Sequence, residues 1–269
     1  MKLIIKIFIF VVLIESHFSN AMEVNAVTKE KAVMSIEQLR KAVLSKEINK
    51  KEHIFKALEV LKVDYPADVN YLLGVMYYFG IIENINVQQA IKYLEISTNL
   101  KHVEATYLLG SILVSLETEP NIERGIILLE SAAEDGHTDA MFNVFSLYKK
   151  GVYSDETAAF EWLISATNLG AENSSLVYAQ EIYFDAQKDK DSEKAKQAIS
   201  ILEQTKFSEF KGEAYFLLSQ IYANPEFESV KNKEKRDKYL EISASQGFER
   251  AKVLWLKYQE LIDQRGQRR

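Results

Sequence analysis

The sequence predicts an all-α fold: a right-handed α-α superhelical solenoid of about six helical hairpins, closed by a C-terminal capping helix. Three observations carry this. Two apolar elements recur in phase along most of the chain. Each has the spacing of a helix. The chain is also poor in turn residues, with 10 Gly and 3 Pro in 269 residues, too few for the many short hairpins of a β-sandwich. Apolar residues make up 47% and charged residues 27%, which is the balance of a folded chain and not of a disordered one.

The first segment differs from the rest. Lys2 and Lys6 supply a positive end, and an apolar run broken only by Lys6 extends from Leu3 to Ile14. Ser19, Asn20 and Ala21 follow. This is the three-part layout of a secretory signal, with cleavage placed after Ala21. The alternative is an N-terminal membrane anchor, but the run is shorter than the roughly 20 residues that span a bilayer. The expectation is a signal peptide over residues 1–21, a periplasmic or secreted product, and no stable membrane anchor after cleavage. There is no Cys, which excludes a thiol nucleophile, a thiolate metal site, a disulfide framework and a lipid anchor on an N-terminal Cys. Net charge is -6, so no global basic field favours nucleic acid.

The first element is clearest in Tyr71-Leu72-Leu73-Gly74-Val75-Met76-Tyr77-Tyr78 and returns in Tyr107-Leu108-Leu109-Gly110. Copies start at Val69, Ala105, Ala140, Ser174, Ala214 and, in part, Ala251, about 36 residues apart. Tyr71, Gly74, Tyr77 and Tyr78 form one stripe at helical period. The second element begins at Tyr93, Leu128, Trp162, Ile201 and Tyr239; Ala90, Tyr93, Leu94 and Ser97 form its stripe. An earlier trace at Ala57-Leu58-Glu59-Val60-Leu61 marks a worn first hairpin. Gly136, Gly170 and Gly247 stop the second helix where a left-handed residue is wanted. Pro66, Pro120 and Pro225 are expected between helices. Gly74, Gly110, Ala179 and Ser219 share one position, where a small side chain lets paired helices approach. One hairpin cannot enclose its own apolar face, so stacking buries it.

The pattern Ala-x-Tyr-x-Leu-Gly-x-x-Tyr, then Trp/Tyr-Leu and Ala-Ala-x-x-Gly-x-x-x-Ala, resembles the Sel-1-like repeat, a cousin of the tetratricopeptide repeat. Residues 128–140, Leu128-Leu129-Glu130-Ser131-Ala132-Ala133-Glu134-Asp135-Gly136-His137-Thr138-Asp139-Ala140, carry its second half well. The resulting division is a signal peptide (1–21), a degenerate hairpin (22–68), five Sel-1-like repeats (69–247), and a capping helix ending near Leu261 with a basic tail (248–269). Three departures stand out. Phe145 occupies the small-residue position, Lys101 replaces the first stop glycine, and the fourth repeat is lengthened around residues 185–191.

The resemblance implies an adaptor that binds a protein partner: a toxin, a receptor or a sensor kinase. Exported bacterial members of the family include periplasmic regulators of sensor kinases, host-interaction factors and immunity proteins that neutralise interbacterial toxins. A cysteine-rich branch is linked to penicillin binding; its paired cysteines are absent here. By analogy with tetratricopeptide stacks, the concave row falls on Val75 and Tyr78, Ser111 and Val114, Ser146 and Lys149, Gln180 and Tyr183, and Gln220 and Ala223. This mixed, partly apolar row suits a protein surface, with Tyr78 and Tyr183 as candidate anchors.

No catalytic set, metal site or cofactor is expected. His53, His102 and His137 lie in different repeats, without the convergent donors that a metal needs; solvation or helix capping is their expected role. No Gly-x-Ser-x-Gly elbow or phosphate loop occurs. Asp185, Asp189, Asp191 and Glu193 cluster, but the glycine that a calcium loop wants at its sixth position is Lys190 or Lys194. A cell-wall or β-lactam hydrolase is the alternative in another class.

Overall fold

A computed structural model describes residues 36–44, 51–81, 84–152 and 155–266. The segment read as a secretory signal lies outside the described residues, as does the end of the basic tail. Among the described residues the regular structure is entirely helical. Helix α1 covers residues 36–44, followed by α2 (Lys51–Leu61), α3 (Pro66–Tyr78), α4 (Val87–Asn99), α5 (Val103–Ser115) and α6 (Glu119–Glu134). Then come α7 (Thr138–Lys149), α8 (Glu156–Asn168), α9 (Glu172–Asp189), α10 (Ser192–Gln204), α11 (Lys211–Ala223), α12 (Lys233–Ser245) and α13 (Glu249–Gly266). The chain forms two compact units, residues 1–131 and 132–269.

In the first unit, Ile36 and Val43 of α1 and Leu58 and Leu61 of α2 join a core with Val69, Leu72 and Met76 of α3. The deep stripe of α3 is therefore Val69, Leu72, Leu73 and Met76, not the tyrosines. The tyrosines flank it, half-buried. Tyr71 stacks on His102 with ring centres 4.7 Å apart, and Tyr77 stacks on Tyr93 at 5.5 Å. A phenol has an apolar body and a polar tip, so it favours this margin over the centre. On α4, Ala90, Leu94 and Ser97 are buried as their spacing predicts. Ser97 also donates its hydroxyl to the Ala67 carbonyl at 2.8 Å. Ser243, at the same position of α12, donates to the Gly212 carbonyl at 2.6 Å.

The small residues of the first helices face the second helices. A Cβ at Gly74 would stand 2.6 Å from Leu94 Cγ, so the glycine makes the seat for a fully buried leucine, a burial that contributes about 1.5–3 kcal/mol. At α5 and α6 both partners are glycines. A Cβ at Gly110 would meet the Gly125 carbonyl at 2.9 Å, and one at Gly125 would meet the Gly110 carbonyl at 2.8 Å. These helices approach backbone to backbone.

In the second unit the same position holds Phe145, which is buried against α8. Its ring is edge-on to Phe160 at 5.7 Å, and Ala159 and Leu163 complete the cluster. The second helix keeps its pattern here, with Ala159 and Leu163 in register with Ala90 and Leu94, so the added bulk is on the first helix alone. The larger core of this unit gathers α9 to α12 with Phe227 and Val230, which enter from the loop after α11.

The stops work as predicted, and Lys101 adopts the glycine conformation. Its φ is 64°, beside 90°, 81° and 90° at Gly136, Gly170 and Gly247. The His102 N–H reaches the Ser97 carbonyl and the His137 N–H the Ala132 carbonyl, the closing bond of a helix ended by a left-handed residue. Pro66 and Pro120 lie inside the first turns of α3 and α6 rather than between helices. A first turn tolerates proline because its N–H groups have no partner within the helix. His102 and His137 are N-caps: their Nδ1 atoms accept from the N–H groups of Ala105 and Ala140, each at 3.3 Å.

Helix α9 absorbs the lengthening of the fourth repeat and runs 18 residues. It ends where Lys190 turns left-handed. Asp191 then caps α10, accepting from the N–H groups of Glu193 and Lys194, and Asp189 pairs with Lys194. The acidic cluster is thus a helix end and a cap. Helix α13 continues past Leu261 to Gly266, since Ile262, Asp263, Gln264 and Arg265 contain no breaker. No described helix is long and apolar enough to cross a membrane.

Candidate partner-binding groove

The repeat arithmetic places the ten row residues in unequal surroundings. Val75 is 2% exposed and belongs to the core of the first unit. Tyr78, Ser111, Val114 and Ser146 are half-buried, and Lys149 is exposed. Lys149 pairs with Glu181 at 3.3 Å and lies over the Phe160 ring. Gln180, Gln220 and Ala223 are exposed. Tyr183 is 8% exposed: its hydroxyl accepts from Asn224 Nδ2 at 2.9 Å, and its ring meets Phe227 edge-on at 6.1 Å. Burial is the main cause that pushes the Tyr183 phenol up, Glu226 adds to it, and the Asn224 hydrogen bond opposes it.

Gln180, Tyr183 and Gln220 are brought together by the structure. With Phe184, Gln187 and Leu217 they line a cavity of about 600 Å³ between α9 and α11. Gln220 also lines a second cavity of about 320 Å³, with Ala223, Leu240, Leu254, Lys257 and Leu261. The two hollows therefore adjoin at Gln220, and together they are called the groove along α9, α11 and α13. The second opens beside Ala223, the repeat equivalent of Tyr183. Where α9 has a packed tyrosine ring, α11 has a methyl group.

Phe184 is the most exposed aromatic of the groove, at 64%. Sequence reasoning placed the anchor one residue earlier, at Tyr183. The missing signal was the loop after α11, whose Asn224 and Phe227 engage Tyr183. Lys257 was also missed. It occupies the position of Gln180 and Gln220, and extending the row into the last helix would have found it.

The charges of the groove are mostly neutralised. Arg236 donates from Nε to Asp237 at 2.6 Å and from its terminal nitrogen to Tyr258 at 3.2 Å, while Tyr258 donates to Asp237 at 2.8 Å. The bond to Asp237, then burial, push the Tyr258 phenol up. A larger hollow of about 710 Å³ lies at the starts of α11 and α13, but Glu209, Lys211, Glu213, Glu249 and Arg250 line it. Such alternating charge suits water, so the smaller, more apolar groove is the better candidate despite its size.

Two carboxylates tie the hairpins behind the groove. Glu172 of α9 accepts from the Ser208 hydroxyl and from the N–H groups of Ser208, Glu209 and Phe210 at the start of α11. Burial opposes its ionisation, but these bonds outweigh burial and hold its carboxyl below the ordinary range. Glu203 Oε1 accepts from Tyr222, Tyr239 and Lys235. Here too burial is outweighed by the donors, and the carboxyl is held low. Tyr239 is pushed up to about 12, first by burial and then by its bond to Glu203. Lys235 is raised, chiefly by its hydrogen bond with Tyr222. These groups engage one another and form a clamp between α10, α11 and α12. Among the described residues no group of three His, Asp or Glu side chains is placed to hold a metal ion.

Paired antiparallel helices that recur every hairpin define the class: this is a helical repeat protein. More particularly, residues 67–102, 103–137 and 138–170 each match the Sel1 repeat family model. These span α3 to α8. Helices α9 to α12 continue the hairpin form with a lengthened first helix. The fold is that of a Sel1 repeat protein from Oxalobacter formigenes, with TM-score 0.59 at 16% identity over 78% of this chain and 88% of that one. A protective antigen present in uropathogenic Escherichia coli strains, displaying an SLR fold, is also similar, with TM-score 0.43, 16% identity, and 82% and 66% covered. No curated protein matches the sequence. Sel1 repeat proteins are generally non-catalytic scaffolds for protein–protein interaction.

Proposed function

We propose that this protein is an exported scaffold that docks a protein partner in the groove along α9, α11 and α13, and that it acts as an immunity protein against an interbacterial toxin. The observation that carries the docking is the groove itself. It offers exposed Phe184 and an apolar hollow beside Ala223, with Gln180, Gln187 and Gln220 along its length. Aromatic anchors within a polar rim are the usual anatomy of a protein interface. Export rests on the layout of residues 1–21, with its charged start, apolar run and small residues before the cut. Neutralising a toxin requires only occlusion, which a rigid scaffold supplies without chemistry.

The test is affinity purification of the tagged chain from the envelope fraction of the producing cells, beside Phe184→Asp and Ala223→Arg variants. One dominant protein should be recovered with the parent chain and lost with both variants. Its toxicity when produced alone, relieved by this chain, would establish immunity. A sensor kinase in its place would make the protein a regulatory adaptor. An unchanged set of captured proteins in both variants would remove the groove from the interface. Retention of the chain in the cytoplasm with residues 1–21 intact would end the export reading.

A further inference from the structure

We infer that the groove takes an extended segment of the partner, with its backbone held by Gln180 and Gln220, an apolar side chain in the hollow beside Ala223, and an Asp or Glu side chain on Lys257. This rests on the reading of the groove as the docking surface, and adds what the occupant must be.

Gln180, Gln220 and Lys257 occupy one repeat position in three successive first helices, and each lines the groove. The amides of Gln180, Gln187 and Gln220 have no partner among the described residues. A glutamine amide carries an acceptor oxygen and donor hydrogens, so it can pair with both the N–H and the C=O of a peptide backbone. Free amides beside an apolar surface therefore match unsatisfied backbone. A helical occupant satisfies its own backbone and has no use for them. An extended chain has every second N–H and C=O turned to one side. Packed helix axes lie about 8–10 Å apart, so the three positions span on the order of 20 Å, about six extended residues.

Charge fixes one end. Glu181 is paired with Lys149, and Arg236 with Asp237, both bonded to Tyr258. Lys257 is the cation of the groove lining left without a partner among the described residues. The chain as a whole is acidic, at -6, so this local positive charge is set against a negative background and selects an acidic side chain next to the apolar one. The hollow beside Lys257 is about 320 Å³, at the lower limit of small-molecule sites and suited to one or two side chains.

The test is selection of a phage-displayed library of random twelve-residue peptides on the full chain, then fluorescence anisotropy with the leading synthetic peptide. Enriched sequences should combine a large apolar residue with Asp or Glu within a few positions. Lys257→Glu should weaken binding about tenfold, and exchange of the peptide's acid for Lys should restore it. Joint Gln180→Ala and Gln220→Ala changes should weaken it by a similar factor. N-methylation of the peptide backbone should mimic that loss in the parent chain but not in the double variant. Lys257, Gln180 and Gln220 are exposed, so these variants fold. Enrichment of helix-forming or acid-free peptides, no enrichment at all, or a charge exchange that fails to rescue, would each overturn the inference. The docking reading fails separately: it is lost if Ala223→Arg and Phe184→Asp leave the cellular partner bound. If those two release the partner and Lys257→Glu does not, the groove stands and the acidic extended segment falls.

Discussion

The crossing of α5 with α6 and the crossing of α7 with α8 solve one problem in opposite ways. In the first, Gly110 faces Gly125 and the backbones touch. In the second, Phe145 fills the interface and Ala159 makes room. Both crossings are closed, but one is held by contact between main chains and the other by an aromatic ring. The second helix presents a small residue at both crossings, so what differs is the first helix, with a glycine at 110 and a ring at 145.

The largest test of this comparison is Phe145→Ala. Removing the ring leaves a cavity that the already small Ala159 cannot fill, so the cost should be about 3–5 kcal/mol. Urea unfolding followed by tryptophan fluorescence reads it directly, because Trp162 lies on α8. A loss below about 1 kcal/mol would mean that the crossing collapses freely, and the contrast with Gly110 and Gly125 would dissolve.

A second test separates the units by acid. Glu172 and Glu203 belong to the second unit, and both are held below the ordinary carboxyl range. Groups with a lowered folded pKa stabilise the fold above their unfolded pKa, and that contribution disappears as pH falls through the folded value. The second unit should thus loosen first on acidification. The chain has 2 Trp, Trp162 and Trp255, both in this unit, while circular dichroism reports all helices. The fluorescence transition should precede the loss of helix, and Glu203→Gln should narrow the gap. Coincident transitions with and without that change would show that these clamps do not set the acid limit.

The smallest effect belongs to Lys101. Its φ of 64° is costly for a side chain with a Cβ. Lys101→Gly should therefore stabilise the first unit, by about 1 kcal/mol after the added freedom of the unfolded chain is subtracted. A fall in melting temperature would indicate that the lysine side chain contributes something its backbone does not reveal.

Much of this architecture is legible in the sequence. The phase of the two elements gave the hairpins, the glycines gave the stops, and Phe145 was visible as a departure. What could not be read was how that departure is absorbed, since Ala159 is unremarkable in a helix rich in alanine. The groove was half legible. Counting along the repeat found Gln180, Gln220 and Ala223, which stay on the surface. It also selected Val75 and Tyr183, which are drawn into the core. A periodic pattern states which direction a side chain leaves its helix. It does not state what stands there, and for Tyr183 the answer comes from Asn224 and Phe227 in the loop after α11.

Glu172 has a consequence for assembly during synthesis. Its carboxylate caps a segment that begins 36 residues later in the chain. When the turn before α11 leaves the ribosome, α9 has already emerged, so the carboxylate is in place to order residues 208–210 just ahead of the step at which an isolated helix is least stable. For this one hairpin, growth from the N-terminal side supplies a contact that growth in the opposite order would form last.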